Sequence, residues 1–302
     1  MDYRRLVKYS GLLYGLALVG LVGVLLFGNV INGSKSWISL FGVNLQPSEM
    51  CKVVLLLFVV KLVHEETEEY LSTRRLVQVL AGAGALVVLV VLQRDVGTAL
   101  MYFPIVGAVL WVAGIPRRIL VTLVLLVVAA APVVWWGLRD YQRERVLVTL
   151  NPDRDPQGVG YQVRQAKIAI GSGGFWGKGI GQGTQSQLGF VPESHTDFIF
   201  AVLAEETGFL GGATILVLYL WLILGVLETG RQARDREGIL LAAGIGGYLL
   251  AHVVVNVGMA LGFLPPIGIP LPLLSYGGSS LLTTFAALGL AAAVSVRRYL
   301  YA

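Results

Sequence analysis

Long apolar runs recur along almost the whole chain, separated by mostly short polar connections. Each is of the length that crosses the hydrocarbon core of a bilayer as a helix. Lipid offers backbone groups no hydrogen-bond partner, so only helices and closed barrels can span it, and the alternating strands of a barrel are missing from the pattern. We therefore predict an all-α fold, a polytopic integral membrane helical bundle forming one transmembrane domain over residues 1–302. Its eight spans are predicted at roughly 9–28, 49–63, 76–92, 98–114, 119–138, 198–227, 239–262 and 279–296.

Two of these runs carry special expectations. The run at 9–28 follows Arg4, Arg5 and Lys8 and lacks a clear small-residue cleavage site, so we expect a retained span instead of a cleaved signal. The run at 198–227 contains two adjacent glutamates and is expected to begin with a short re-entrant piece before a full span.

Basic residues are distributed unevenly between the two sides of the predicted bundle. Short outer turns hold only Lys35 and Arg94 when the N-terminus is placed inside. The inner segments then hold Arg4, Arg5, Lys8, Lys61, Arg74, Arg75, Arg117, Arg118, Arg231, Arg234, Arg236, Arg297 and Arg298. This asymmetry predicts that both termini are cytoplasmic and that the long connection at 139–197 is extracytoplasmic. The net charge of +5 is explained by topology, and no nucleic acid partner is expected because no basic stripe with stacking aromatics is present.

The connection at 139–197 is long enough to be functional in its own right. It mixes aromatic residues with arginines and lysines, which predicts either interfacial anchoring or a cradle for a lipid-linked diphosphate. Within it, the stretch 171–183 has seven glycines in thirteen positions, which would let backbone amides approach an anion or a sugar. A flexible turn is the simpler interpretation of that stretch.

The segment from Phe190 to Phe200 sets Glu193, His195 and Asp197 against an apolar run. A carboxylate at a membrane boundary is costly, which makes it a candidate for function. The alternatives are a structural cap, in which the side chain of residue 196 or 197 satisfies the first amides of the next helix, and a metal site, which would lack a second His or a Cys ligand.

Two further features lie outside this segment. Glu49 and Lys52 are three residues apart, so they share one face of a helix and are predicted to pair, because a lone Lys at that depth would be expensive. Residues 262–280 are rich in proline and glycine, which predicts a rigid outer rim before the last span.

Six motifs in the same order resemble the SEDS family, the RodA and FtsW proteins of bacterial cell-wall synthesis. They are Gln46-Pro47-Ser48-Glu49, Asp95-Val96-Gly97-Thr98-Ala99, the Lys167–Gly174 stretch, Gly183-Thr184-Gln185-Ser186-Gln187, His195-Thr196-Asp197-Phe198-Ile199-Phe200 and the Leu271–Ser280 stretch. The fourth motif resembles the elongation and cell-shape branch, RodA, more than the division branch, FtsW.

The resemblance implies a peptidoglycan glycosyltransferase, a hexosyltransferase that polymerises lipid II into glycan strands at the outer face of the bacterial plasma membrane. It implies a class B penicillin-binding protein and membrane proteins of the elongation complex as partners. The essential aspartate of the family falls on Asp197, which would act as general base, and its acidic and basic pair falls on Glu49 and Lys52. Lys167, Glu193, His195 and Ser275 complete the expected substrate-binding residues.

Lys52 and loop arginines could supply positive charge to the leaving diphosphate, and a divalent cation, Mg²⁺ or Mn²⁺, could share that duty. The chain departs from the family at Ser36 and Gly189, where many relatives carry an arginine and an acidic residue, and it shows eight spans where about ten are usual. Two other functions fit the same features, a lipid II flippase and a non-catalytic scaffold for the penicillin-binding protein.

Overall fold

The computed structural model describes residues 2–31, 33–40, 43–66, 71–116 and 140–300, with scattered positions between 117 and 139. The predicted fifth span, 119–138, therefore lies largely outside the described residues. The described helices are α1 (Tyr3–Lys8), α2 (Ser10–Phe27), α3 (Pro47–His64), α4 (Thr73–Leu92), α5 (Val96–Ala113), α6 (Asp140–Leu150), α7 (Val159–Ser172), α8 (Thr184–Gln187), α9 (Ile199–Arg231), α10 (Arg236–Ala260) and α11 (Gly278–Leu300). A 3₁₀ turn lies at Pro152–Arg154.

Six of the described helices are long and apolar enough to cross a membrane, namely α2, α4, α5, α9, α10 and α11. Each coincides with a predicted span. The remaining predicted span, at 49–63, is a helix as expected, but it carries three charged residues, Glu49, Lys52 and Lys61. The prediction of a polytopic helical membrane protein is confirmed.

A small antiparallel sheet accompanies the helices and was not predicted. Its strands are β1 (Asn29–Ile31), β2 (Ser34–Leu40) and β3 (Val43–Leu45), in the order β1-β2-β3. Gly33, at φ +79°, lies in the connection between the first two strands, where a residue with a Cβ would be strained. Such short strands give a weak pattern beside an apolar run of membrane length, so the sequence alone did not reveal them.

The chain forms two compact units. The first comprises Met1–Pro116, Leu222–Ala251 and Gly277–Ala302. Its central element is α3, which packs against α2, α4, α5 and α11. Leu55, Val59, Val60 and Val63 on α3 are fully buried. Because protein surrounds much of this helix, its charged residues need not face lipid.

The second unit comprises Arg117–Trp221 and His252–Tyr276. Its core is built around Phe198 and Phe200 at the start of α9. Ala166 and Ala169 place a small-residue face of α7 in that core, which allows close helix packing. The Tyr219 hydroxyl donates to the carbonyl of Pro272 and ties α9 to the Pro/Gly-rich segment. This unit contains the Asp197 segment.

Candidate active site

The backbone of residues 193–198 winds around a single carbonyl group. The carbonyl oxygen of Glu193 accepts hydrogen bonds from the amides of Thr196, Asp197 and Phe198 at 3.1–3.2 Å. Glu193 itself has φ +50°, which is uncommon for a residue with a side chain. This turn brings Asp197 to the position two residues before α9 begins. We call residues 193–198 the acidic turn.

The other carbonyls of the acidic turn are held by the Pro/Gly-rich segment and the end of α10. The amide of Tyr276 donates to the carbonyl of His195 at 2.8 Å. The hydroxyl of Ser275 donates to the carbonyl of Thr196 at 2.5 Å. The side-chain amide of Asn256 donates to the carbonyl of Asp197 at 2.9 Å. The turn is therefore fixed through its backbone, and its acidic side chains remain available.

Ser275 has a different place from the one expected of a substrate-binding residue. Its side chain is buried, and its hydroxyl bridges two backbone groups, accepting from the amide of Leu271 and donating to Thr196. The geometry assigns it to positioning of the acidic turn.

The Asp197 carboxylate is half-buried and lies against the backbone of Gly268. A Cβ at Gly268 would lie 3.5 Å from Oδ2 of Asp197, and the φ of Gly268 is +74°. Burial, together with the charge of Glu193, raises the pKa of Asp197 from 3.8 to about 6, against the opposing charge of Arg145. A carboxylate with this pKa is ionised at neutral pH and is still basic enough to accept a proton.

The capping prediction for residues 196 and 197 is wrong for the described structure. The Thr196 hydroxyl donates back to the carbonyl and the carboxylate of Glu193. Within the described part of the chain, neither side chain accepts a hydrogen bond from an amide of α9. The helix N-terminus therefore does not engage the carboxylate of Asp197 by a direct bond, which agrees with a raised pKa.

The other expected binding residues of this unit lie at or near the exposed side of the turn. Glu193 and His195 are exposed. Lys167 on α7 is also exposed and runs beside Gly262, where an added Cβ would lie 2.5 Å from its Nζ. The Pro/Gly-rich segment thus touches Lys167 through Gly262 and Asp197 through Gly268. In the described ranges, His, Cys, Asp and Glu side chains form no group of three that could hold a metal ion.

The glycine-rich stretch packs its backbone against a break in α9. Gly208 interrupts the helix with φ 70° and ψ −167°, so a short helical piece precedes a longer one. That the short piece re-enters the membrane stays a prediction. The amides of Lys178 and Gly179 donate to carbonyls 205 and 206, and those of Phe209 and Leu210 donate to carbonyls 174 and 175. These bonds satisfy backbone groups that the break leaves without helical partners.

Glycine is required here by close approach. A Cβ at Gly173 would lie 2.1 Å from the carbonyl oxygen of Ala204, and one at Gly177 would lie 2.2 Å from that of Glu206. The stretch is thus a tightly bonded turn, neither flexible nor open to an outside anion along this face.

Glu205 is a functional candidate that the sequence reasoning missed. Its fully buried carboxylate accepts from Nζ of Lys178 at 2.7 Å and from the amides of Gln185 and Ser186 at 2.8 and 3.0 Å. The amides near the glycine-rich stretch do bind an anion, but that anion belongs to the protein. A glutamate inside an apolar run, following a glycine-rich stretch with one lysine, was the available signal.

The first unit holds the predicted ion pair. Nζ of Lys52 lies 2.5 Å from Oε1 of Glu49, and both side chains are buried, which confirms the pairing. Lys52 also lies 5.8 Å from the ring centroid of Tyr248, a cation–π contact. Oε2 of Glu49 is buried with no hydrogen-bond partner among the described residues.

The motifs that carry the resemblance converge within the two units. In the first unit, Gln46 and Ser48 donate to Oδ2 of Asp95 at 2.6 and 3.1 Å, and the Ser279 hydroxyl accepts from the amide of Gln46. In the second unit, the glycine-rich motif, the Gly183–Gln187 motif, the acidic turn and the 271–276 segment are joined by the bonds described above.

Comparison with known proteins gives one consistent family. The family described as cell cycle protein, which covers FtsW, RodA and SpoVE, matches residues 1–300. The peptidoglycan glycosyltransferase MrdB of Escherichia coli K12 is 42% identical over 288 residues, 95% of this chain and 77% of that protein. The peptidoglycan glycosyltransferase RodA of Treponema pallidum is 32% identical over 374 residues, covering 98% of this chain and 85% of the relative. A probable peptidoglycan glycosyltransferase FtsW of Thiomicrospira cyclica is 37% identical over 94% of this chain and 74% of the relative.

Solved structures agree with these relatives. A chain of a peptidoglycan synthase complex that coordinates polymerisation and crosslinking matches with a TM-score of 0.84 and 36% identity, over 99% of this chain and 84% of that one. The rod shape determining protein RodA of Thermus thermophilus matches with a TM-score of 0.71 and 32% identity, over 99% and 81% of the two chains.

Proposed function

Because the chain belongs to the FtsW, RodA and SpoVE family of cell cycle proteins and is a peptidoglycan glycosyltransferase like its relatives, we propose that it polymerises lipid II with Asp197 as general base. The observation that carries the assignment of Asp197 is its half-buried carboxylate, held by its backbone and with a pKa raised to about 6. No other carboxylate of the acidic turn is sheltered, since Glu193 is exposed.

The proposed reaction needs one proton acceptor and one leaving group. Asp197 takes the proton from the 4-hydroxyl of the acceptor sugar as that oxygen attacks the anomeric carbon of the donor. The bond from the anomeric carbon to the polyprenyl diphosphate breaks, and the diphosphate leaves with the electron pair. General-base catalysis of this kind contributes about 10²–10⁴-fold to the rate.

The leaving diphosphate requires positive charge. In the unit that holds Asp197, two candidates are the half-buried Arg145, whose charge acts on Asp197, and the exposed Lys167. Lys52 is proposed as a second contact with Glu49, although its ammonium is already paired with that carboxylate. A divalent cation, Mg²⁺ or Mn²⁺, would supply further positive charge to the leaving diphosphate.

The remaining proposed substrate contacts are chosen because their side chains are exposed. Glu193 and His195 project from the exposed side of the acidic turn and are proposed to contact the sugars. Ser275 is proposed to act on substrate only through the backbone of Thr196, because its hydroxyl is engaged there.

The proposed partner is a class B penicillin-binding protein within the elongation complex. Support comes from the likeness to a chain of a synthase complex in which polymerisation and crosslinking are coordinated. The Gly183–Gln187 motif and the MrdB and RodA relatives favour the elongation branch. The protein is a multi-pass membrane protein, and we propose the bacterial plasma membrane, cytoplasmic termini and an outward-facing Asp197.

The test is polymerisation of purified lipid II by the wild-type protein and by Asp197→Ala, with glycan length read on gels. The matched control is Asp153→Ala, an exposed carboxylate of the same unit. We expect glycan strands from the wild type and the control and none from Asp197→Ala, with all three proteins eluting alike on size exclusion. Strands made by Asp197→Ala at the wild-type rate would remove Asp197 as the base. Leaflet exchange of labelled lipid II in vesicles, unaccompanied by any product, would favour the flippase.

A further inference from the structure

Asn256 joins the backbone of Asp197 to the backbone of the Pro/Gly-rich segment. It is fully buried on α10. Its Nδ2 donates to the carbonyl of Asp197 at 2.9 Å and to the carbonyl of Ile269 at 2.8 Å. Two carbonyl acceptors require the NH₂ end of the amide at this point, so the orientation of the side chain is unambiguous.

The two carbonyls define the position of the carboxylate. The first belongs to Asp197 itself, and the second belongs to the residue after Gly268, where an added Cβ would lie 3.5 Å from Oδ2 of Asp197. One side-chain amide therefore fixes both the backbone of Asp197 and the backbone beside its carboxylate. We call residues 261–277, which include Gly268, the Gly268 wall. Along the chain, Asn256 is 59 residues from Asp197 and 13 residues from Ile269. Both hydrogen bonds therefore join segments that are not neighbours in sequence.

The wall that Asn256 holds is free of charge. Residues 261–277 contain no Asp, Glu, Lys, Arg or His. The charged groups that act on Asp197 come from other elements, namely Glu193 of the acidic turn and Arg145 of α6. Withdrawal of the wall would admit water to one side of the carboxylate and leave these two charges in place.

The side-chain oxygen of Asn256 lies in an energetically unfavourable environment. Oδ1 is buried and has no hydrogen-bond partner among the described residues. A buried acceptor left unpaired costs about 1–3 kcal/mol. Packing alone would be served better by an apolar side chain, so the two bonds from Nδ2 are the feature that explains an asparagine at this position.

We propose that Asn256 is a positioning residue, which holds the Asp197 carboxylate against the Gly268 wall so that water reaches it from one side only. This inference rests on the proposed function of Asp197. Asn256 does not touch substrate. It acts through the backbone of Asp197 and through the placement of residues 268 and 269.

The test is the pH dependence of the polymerisation rate in Asn256→Ala and Asn256→Ser. Alanine removes both hydrogen bonds. Serine keeps one hydroxyl donor, but its side chain is too short to reach both carbonyls. Exposure of Asp197 to water lowers its pKa, so we expect the midpoint of the acid limb to fall by about one pH unit in the alanine variant and by less in the serine variant. The rate at each pH is divided by the folded fraction measured at that pH, so a partly unstable variant still gives an answer.

The matched control is His252→Leu, one turn earlier on α10. His252 is also fully buried, and its Nδ1 lies 3.1 Å from the carbonyl of Pro270, so it contacts the same segment at a different residue. We expect its midpoint to stay at the wild-type value. An unmoved midpoint in both Asn256 variants, or an equal shift in His252→Leu, would overturn the inference. Wild-type activity in Asp197→Asn would instead overturn the proposed function.

Discussion

At the scale of single residues, the chemistry of Asp197 follows from a negative charge that is partly removed from water. The acidic turn fixes the backbone of this residue through the carbonyls of residues 193, 195, 196 and 197. Its carboxylate is left half-buried beside the uncharged Gly268 wall. Removal from water disfavours the ionised form, which is the form that a general base requires. The ionised Asp197 is therefore expected to lower the stability of the folded protein, and the same burial makes its carboxylate a stronger base.

Asp197→Asn is expected to stabilise the protein at pH 8 and to leave its stability nearly unchanged at pH 4. The pKa of the carboxyl is about 6 in the folded protein and 3.8 ordinarily, so both states are protonated well below pH 3.8. Stability is lost as the pH rises from about 4 to 6, and the loss is complete above that range. The gain at pH 8 is at most about 3 kcal/mol. Thermal unfolding in detergent at the two pH values measures it.

Asp153→Asn provides the control, because that carboxylate is exposed and paired with Arg164. It should give no stabilisation at pH 8. Equal effects of the two substitutions, or destabilisation by Asp197→Asn at pH 8, would contradict the assignment of a raised pKa to Asp197.

At the scale of elements, two buried carboxylates organise the helices around them. Glu205 draws α8 and Lys178 onto the broken helix α9. Glu49 pairs with Lys52 one turn away on α3. In each case removal of one partner leaves the other buried without compensation, which costs more than the pair contributes.

Glu205→Ala is expected to destabilise the protein by on the order of 3 kcal/mol and to open residues 178–190 to proteolysis. The loss follows because Lys178 and the amides of residues 185 and 186 lose their shared acceptor. Limited proteolysis with mass spectrometry measures the opening. Glu206→Ala is the matched control, one residue along the same helix and only half-buried. Equal protection of both variants would show that the Glu205 carboxylate does not hold the segment.

Lys52→Met is expected to lower stability by about 3–5 kcal/mol, because it leaves the Glu49 carboxylate buried and unpaired. The double variant Glu49→Gln with Lys52→Met should recover most of that loss, since no buried charge remains. A double-mutant cycle on melting temperature in detergent measures the coupling. Additive losses would argue against a direct pair.

At the scale of the whole molecule, the sequence predicted the membrane helices well and the contacts between segments poorly. Apolar runs mark spans because lipid leaves backbone groups no other partners. The Glu49–Lys52 pair was predictable because residues three apart lie on the same face of a helix. The ties of Asn256 and Ser275 to the acidic turn join residues 59 and 79 positions apart, which no local pattern encodes. The three short strands were likewise hidden between apolar runs.

The orientation of the chain is expected to follow its basic residues. In a Cys51→Ser background, which removes the chain's single cysteine, Gln182→Cys should react with a membrane-impermeant maleimide in spheroplasts. Gln232→Cys, beside Arg231 and Arg234, should react only after permeabilisation. The reverse pattern would place the acidic turn on the cytoplasmic side, away from the site of glycan polymerisation.

The role of Asp197 is tested most directly by the pH dependence of lipid II polymerisation at substrate concentrations well below KM, where the rate reports the free enzyme. We expect the wild-type rate to fall about tenfold per pH unit below a midpoint near 6, because protonation of Asp197 removes the base. We also expect the residual rate of Asp197→Asn to lack this limb. A wild-type rate that stays constant well below pH 6, or an acid limb that persists in Asp197→Asn, would contradict the claim that Asp197 takes the proton.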